Sequence, residues 1–184
     1  GQVDFGYVGY EQNGSNWWYV YGGQVCFQAT DVLPGTVGGQ YGWWKVCEGK
    51  VNFDDDVCEN AYGWWKITTG KVDFQYTGLA QNACGWWMIQ NGHVNFGSNG
   101  LVDNGNGWWL VKNGGVDFNY NGLVDNGNGW WLIRNGYVDF NYNGLVDNGN
   151  GWWLVKNGCV DFSYQGYVQN ECGVWWVSNG QVQF

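Results

Sequence analysis

A pair of adjacent tryptophans begins at residues 17, 43, 64, 86, 108, 130, 152 and 175, at steps of 26, 21, 22, 22, 22, 22 and 23. All 16 Trp of the 184-residue chain lie in these pairs. A second marker, Val-x-Phe, begins at 3, 25, 51, 72, 94, 116, 138, 160 and 182 and holds all 9 Phe. A fixed period of this kind restricts the fold more than any local signal. One short unit cannot bury its apolar face alone, so the units must stack on one another.

Each unit reads as strands and turns. Trp108-Trp109-Leu110-Val111-Lys112 is rich in strand formers, and Asn113-Gly114 follows it. Asn-Gly between apolar runs is the strongest short hairpin signal, because a type I′ turn needs positive φ at both central residues. A two-residue turn there pairs Lys112 with Gly115, Val111 with Val116, Leu110 with Asp117 and Trp109 with Phe118. Strand residues alternate in face. Trp109, Val111, Val116 and Phe118 are therefore expected to form an apolar core face. Trp108, Leu110, Lys112 and Asp117 form a mixed one. Asp-Asn-Gly-Asn-Gly, at 103–107, 125–129 and 147–151, is read as the linker to the next hairpin. The expected fold class is all-β, a repeat β-hairpin solenoid of about eight 22-residue units.

The array is read as a single repeat domain over 1–184. Residues 1–60 are its irregular N-terminal repeats, with a loop near 28–40 that holds Pro34 and a four-residue excess. Residues 61–172 are regular repeats, and 173–184 a C-terminal cap in which Val174 stands at the first Trp position. The chain opens inside a repeat without an initiator Met, so it is read as a piece of a longer protein.

Composition removes several function classes. With Lys+Arg at 7 and Asp+Glu at 16 the formal charge is −9, which repels a phosphate backbone, so nucleic acid is not an expected partner. No apolar run approaches the length of a membrane span. One His without a catalytic partner, no nucleophile beside a base and no recognised phosphate loop point away from an enzyme and from a cofactor. The Asp-Asn-Gly-Asn-Gly loops lack the alternating oxygen ligands and closing Glu of an EF-hand, so no metal site is expected. Cys26, Cys47, Cys58, Cys84, Cys159 and Cys172 avoid the regular repeats between 85 and 158. They are read as disulfide candidates of an extracellular chain, with Cys159–Cys172 the expected bridge within one repeat.

The order Gly107-Trp108, Asn113-Gly114-Gly115-Val116-Asp117-Phe118 and Gly122-Leu123-Val124 resembles the cell-wall-binding repeats of Gram-positive surface proteins, the choline-binding and glucan-binding group. The resemblance covers nearly the whole chain. It departs from the family where Val replaces the Trp of the second strand and a double Trp opens the first. It implies a hairpin solenoid, secreted or attached to the cell surface, that grips wall polymers through aromatics of successive repeats.

Two sets of aromatics are the candidate ligand residues. The first Trp of each pair lies on the mixed face: Trp17, Trp43, Trp64, Trp86, Trp108, Trp130 and Trp152. Exposed rings at fixed spacing suit stacking on sugars or caging a quaternary ammonium. The competing reading is that neighbouring repeats cover both faces and every Trp is core. The Tyr two residues after Phe is the second set: Tyr7, Tyr76, Tyr120, Tyr142 and Tyr164. The expected function is a non-catalytic module binding a cell-wall polymer or other glycan between adjacent repeats. The alternative is a structural spacer or adhesin stalk that binds protein partners. The exposed ends of such a stack also allow end-to-end self-association.

Overall fold

A computed structural model describes residues 2–184. The described residues form 24 strands and no helix, and the hairpin pairings are antiparallel. They are organised as a β-hairpin solenoid. The strands divide into two compact units, one ending at Phe96 and the other running Gly97–Phe184.

One repeat of the second unit shows how the sequence makes the element. Gly100–Asp103 pairs with Trp108–Lys112, Leu101 opposite Leu110 and Asp103 opposite Trp108. The chain turns at Asn113-Gly114 and returns as the two-residue strand Gly115–Val116, with Val111 opposite Val116. Asn113 and Gly114 have φ of 48° and 79°, the left-handed pair that the type I′ turn requires. The Asp-Asn-Gly-Asn-Gly segment is thus the loop of the main hairpin and not a linker. Asp103 Oδ1 accepts Gly105 N–H at 2.8 Å and Asn104 Oδ1 accepts Asn106 N–H at 3.0 Å, which closes the reversal locally.

The expected core face is corrected at its phenylalanine. Asp117 Oδ1 accepts Asn119 N–H at 3.1 Å, and its carbonyl accepts Tyr120 N–H at 3.3 Å. This Asx turn follows the end of the strand at Val116 and swings Phe118 outward, 41% exposed. The mixed face is corrected at its leucine: Leu110 is 3% exposed. Both faces are covered because each repeat lays one face on the opposite face of the next. Leu110 packs on Ile133 and Val138, and Leu132 on Val155 and Val160.

The four-residue excess near residues 28–40 is hairpin and not loop. Asp31–Val37 pairs with Gln40–Cys47 along its whole length, from Asp31 opposite Val46 to Val37 opposite Gln40. All six cysteines are free thiols, so the expected Cys159–Cys172 bridge is absent. Cys159 stands in a two-residue strand opposite Lys156 and Trp131, whereas Cys172 lies in the hairpin loop between Gln165–Asn170 and Gly173–Ser178.

Candidate functional site

Stacking one repeat's face on the next brings three aromatic side chains together at joins within each of the two units. The first Trp of one repeat meets the second Trp and the outward Phe of its successor. Trp108, Trp131 and Phe140 have ring centroids 5.3, 6.1 and 5.6 Å apart. Trp130, Trp153 and Phe162 repeat the cluster at 4.9, 5.6 and 5.7 Å. In the first unit Trp64, Trp87 and Phe96 do so at 5.4, 6.2 and 5.9 Å. The Phe rings stand nearly perpendicular to the Trp rings, so each cluster is a concave corner and not a flat stack. A group seated over the middle of such a triangle is within the roughly 6 Å of every centroid at which cation–π attraction acts.

Two joins open into clefts. Trp43, Trp65 and Phe74 line one of about 460 Å³ together with Tyr62 and Val72. Trp152, Trp175 and Phe184 line one of about 240 Å³ with Leu145, Val182, Asn170 and Cys172. The join that holds Trp17 is filled instead. Trp44 is only 5% exposed there, packed in a cluster with Val37 of the lengthened hairpin and Tyr10.

In three repeats the second Trp is fixed by a single side chain. Asn60, Asn82 and Asn170 accept the indole N–H of Trp65, Trp87 and Trp175 at 3.0, 2.9 and 2.9 Å. These donors therefore point into protein, and the cage presents ring faces and edges. On the other side of the second Trp lies the residue that follows the Asn-Gly turn of the next repeat. His93 meets Trp65 edge-on at 4.9 Å and Tyr137 meets Trp109 at 4.9 Å. Those side chains lie directly on Gly63 and Gly107, where any Cβ would run into the His93 and Tyr137 rings. This is the reason for glycine at positions 63 and 107.

The sequence candidates separate on these coordinates. Trp64, Trp108, Trp130 and Trp152 are cage walls. Trp86, half-buried, lies opposite Gln81 in the last main hairpin of the first unit. Tyr76, Tyr120, Tyr142 and Tyr164 stand in a different row. Their hydroxyls donate to the carbonyls of Leu79, Leu123, Leu145 and Tyr167 at 2.7, 3.2, 3.1 and 3.0 Å. In the second unit a cation covers each ring: Lys112 over Tyr120, Arg134 over Tyr142 and Lys156 over Tyr164, at 4.3, 4.5 and 4.3 Å. The same cations pair with Asp117, Asp139 and Asp161. Hydrogen bonding from Lys112 and Lys156 holds the Asp117 and Asp161 carboxyls below their usual range. The second Trp and the Phe escaped the sequence reading as ligand walls. The available signal was the Asp or Asn before most of the Phe residues, residue types that favour turns over strand continuation.

Cys58 and Cys159 are held as thiols. Burial pushes the Cys58 thiol up to about 12, helped by the neighbouring Asp56, and burial also raises Cys159. No cluster of metal-ligating side chains occurs among the described residues.

The family model for the choline-binding repeat matches residues 75–95, 97–117, 119–139 and 141–161. Four consecutive units of the chain thus match the choline-binding repeat. Solved structures similar to it include choline binding protein F from Streptococcus pneumoniae, at 20% identity and a TM-score of 0.38, over 94% of this chain and 58% of that one. Alternansucrase in complex with isomaltononaose is similar at 11% identity and a TM-score of 0.37, over 95% of this chain and 13% of that one. The chain thus spans less than two thirds of either. No curated protein matches the sequence. The matched segments 97–117, 119–139 and 141–161 supply the Trp walls of the two three-ring clusters in the second unit.

Proposed function

We propose that the chain is a non-catalytic binding module, displayed outside a Gram-positive cell, that holds a wall polymer or glycan by quaternary ammonium groups seated in the inter-repeat cages. The carrying observation is the recurrence of one Trp–Trp–Phe corner at successive joins of both units. The ligand chemistry follows from what the corner offers. A sugar needs hydrogen-bonding groups beside its stacking platform, and Trp65, Trp87 and Trp175 have their N–H donors engaged by asparagines. Perpendicular rings enclose a methylated cation from several sides instead. Each contact contributes about 0.5–2 kcal/mol, so one cage binds weakly and the array gains by multivalency. The net charge of −9 favours a cationic group over an anionic one.

Retention on a choline-bearing matrix tests this reading. The chain is expected to be held and to elute with free choline, and not with a soluble neutral glucan. Passage through the matrix unretained would contradict the proposal and leave the spacer reading in its place.

A further inference from the structure

One position in the hairpin loop varies from repeat to repeat while the three cage rings stay constant. It is the residue before the glycine of Gly-Trp-Trp, Tyr41, Tyr62, Cys84, Asn106, Asn128 and Asn150, with Cys172 before Gly-Val-Trp-Trp in the last repeat; Tyr41 belongs to the filled join of Trp17 and Trp44. In both open clefts this residue reaches the cage. Tyr62 lines the cleft with Trp43, Trp65 and Phe74, and Cys172 the one with Trp152, Trp175 and Phe184. From this recurrence we infer that the loop residue sets the ligand preference of its cage, and that Tyr62 makes the Trp43–Trp65–Phe74 cage the strongest site for a methylated ammonium. The inference rests on the proposed cation-binding function and adds which site dominates and why.

Tyr62 stands edge-on to Trp43, centroids 5.5 Å apart and planes at 89°. It is nevertheless 74% exposed, so its ring is anchored on the Trp43 side and otherwise open to solvent. Its placement is not left to chance. Asn60 Oδ1 accepts both the Tyr62 backbone N–H at 2.8 Å and the Trp65 indole N–H at 3.0 Å, so one side chain orients two walls. The result is a cage with four aromatic walls and Val72 as the remaining lining.

The regular loops are built differently. Gly127, at φ 83°, turns the chain so that Asn126 Oδ1 accepts Asn128 N–H at 3.0 Å. The indole N–H of Trp131 is then buried without an acceptor, as is that of Trp153, among the described residues. Asn128 and Asn150 also carry an amide where Tyr62 carries a ring, and an amide adds no π face. The cages at Trp108–Trp131–Phe140 and Trp130–Trp153–Phe162 therefore keep three aromatic walls. Cys172 gives the last cage a small apolar lip and no fourth ring.

Calorimetric titration of the full chain with choline and with tetramethylammonium tests this. Tyr62→Asn is expected to weaken the tightest site about 2- to 30-fold, the range one added cation–π contact supplies, while the weaker sites keep their affinities. Tyr62→Phe should retain the tight site. Asn128→Tyr should create a second tight site in the Trp108–Trp131–Phe140 cage. Tyr62 is exposed, so an unchanged thermal midpoint confirms that Tyr62→Asn folds. If wild type binds choline and Tyr62→Asn leaves its tightest site unchanged, the loop-residue inference is overturned and the cage reading stands. If wild type binds neither cation, the cage reading itself fails.

Discussion

At the residue scale, turns decide which aromatics face solvent. Asp117, Asp139 and Asp161 each draw in the N–H two residues ahead, and the intervening Phe leaves the strand. Phe162 is then a cage wall that little else depends on. Phe162→Ala is expected to weaken choline at the Trp130–Trp153 cage severalfold while the thermal midpoint moves by only a few degrees, measured by calorimetry and by circular dichroism. Gly136 behaves oppositely. It sits at φ 77°, and a Cβ there would lie 2.5 Å from the Asp117 carbonyl oxygen. Gly136→Ala should destabilise the fold by about 2 kcal/mol or more, read from chemical denaturation, since it meets both a positive-φ penalty and a backbone clash. These two positions also show where sequence reasoning stopped. The Asn-Gly turn is legible because left-handed φ restricts residue type, and the structure has it. The outward Phe is not legible from alternation alone, because one Asx turn overrides the strand pattern.

At the element scale, the hairpin is held by its neighbour more than by itself. A two-stranded ribbon alone is marginal in water. Leu132 is buried by Val155 and Val160 of the following repeat. Leu132→Ala should cost about 2–5 kcal/mol, measured by denaturant titration, and it should lower the whole transition of its unit rather than fray one hairpin. A polar tie joins two hairpins of the first unit: Lys45 Nζ donates to Asp56 Oδ2 at 2.6 Å. Burial alone would raise the Asp56 carboxyl, but hydrogen bonds from Lys45, Val57 N–H and the Cys58 thiol outweigh it and hold it low. A depressed folded pKa contributes stability above the ordinary carboxylate value and loses it as pH falls through the depressed one. The thermal midpoint should therefore drop on acidification below about pH 4, and Lys45→Met should flatten that dependence. The pairing of both strand faces with neighbours was only half legible in the sequence. Leu110 beside Lys112 looks like a wet face until the next repeat is laid on it.

At the scale of the whole molecule, the period does most of the specifying. It dictated stacking, and stacking dictates the cages, since the face that carries the first Trp must meet the face that carries the second. The sequence thus gave away the repeat, the hairpin turn and one cage wall per join. It hid the role of the other two walls because they meet the first Trp only across a join, from a repeat about 22 residues further on. Repetition also sets the expected binding behaviour. Cages that are individually weak grip a polymer together, so loss of successive cages should reduce affinity for a choline-bearing polymer multiplicatively while each loss removes only one site for free choline. The comparison of polymer and monomer affinities across such a series measures this directly.

Tryptophan fluorescence is the most direct probe of the central claim, because every cage is built from two indoles. A saturable change in emission on titration with choline, with no change on adding a neutral soluble glucan, is the predicted result. An emission spectrum indifferent to choline, with the indoles also shielded from acrylamide, would contradict it and mark the aromatic corners as packing alone.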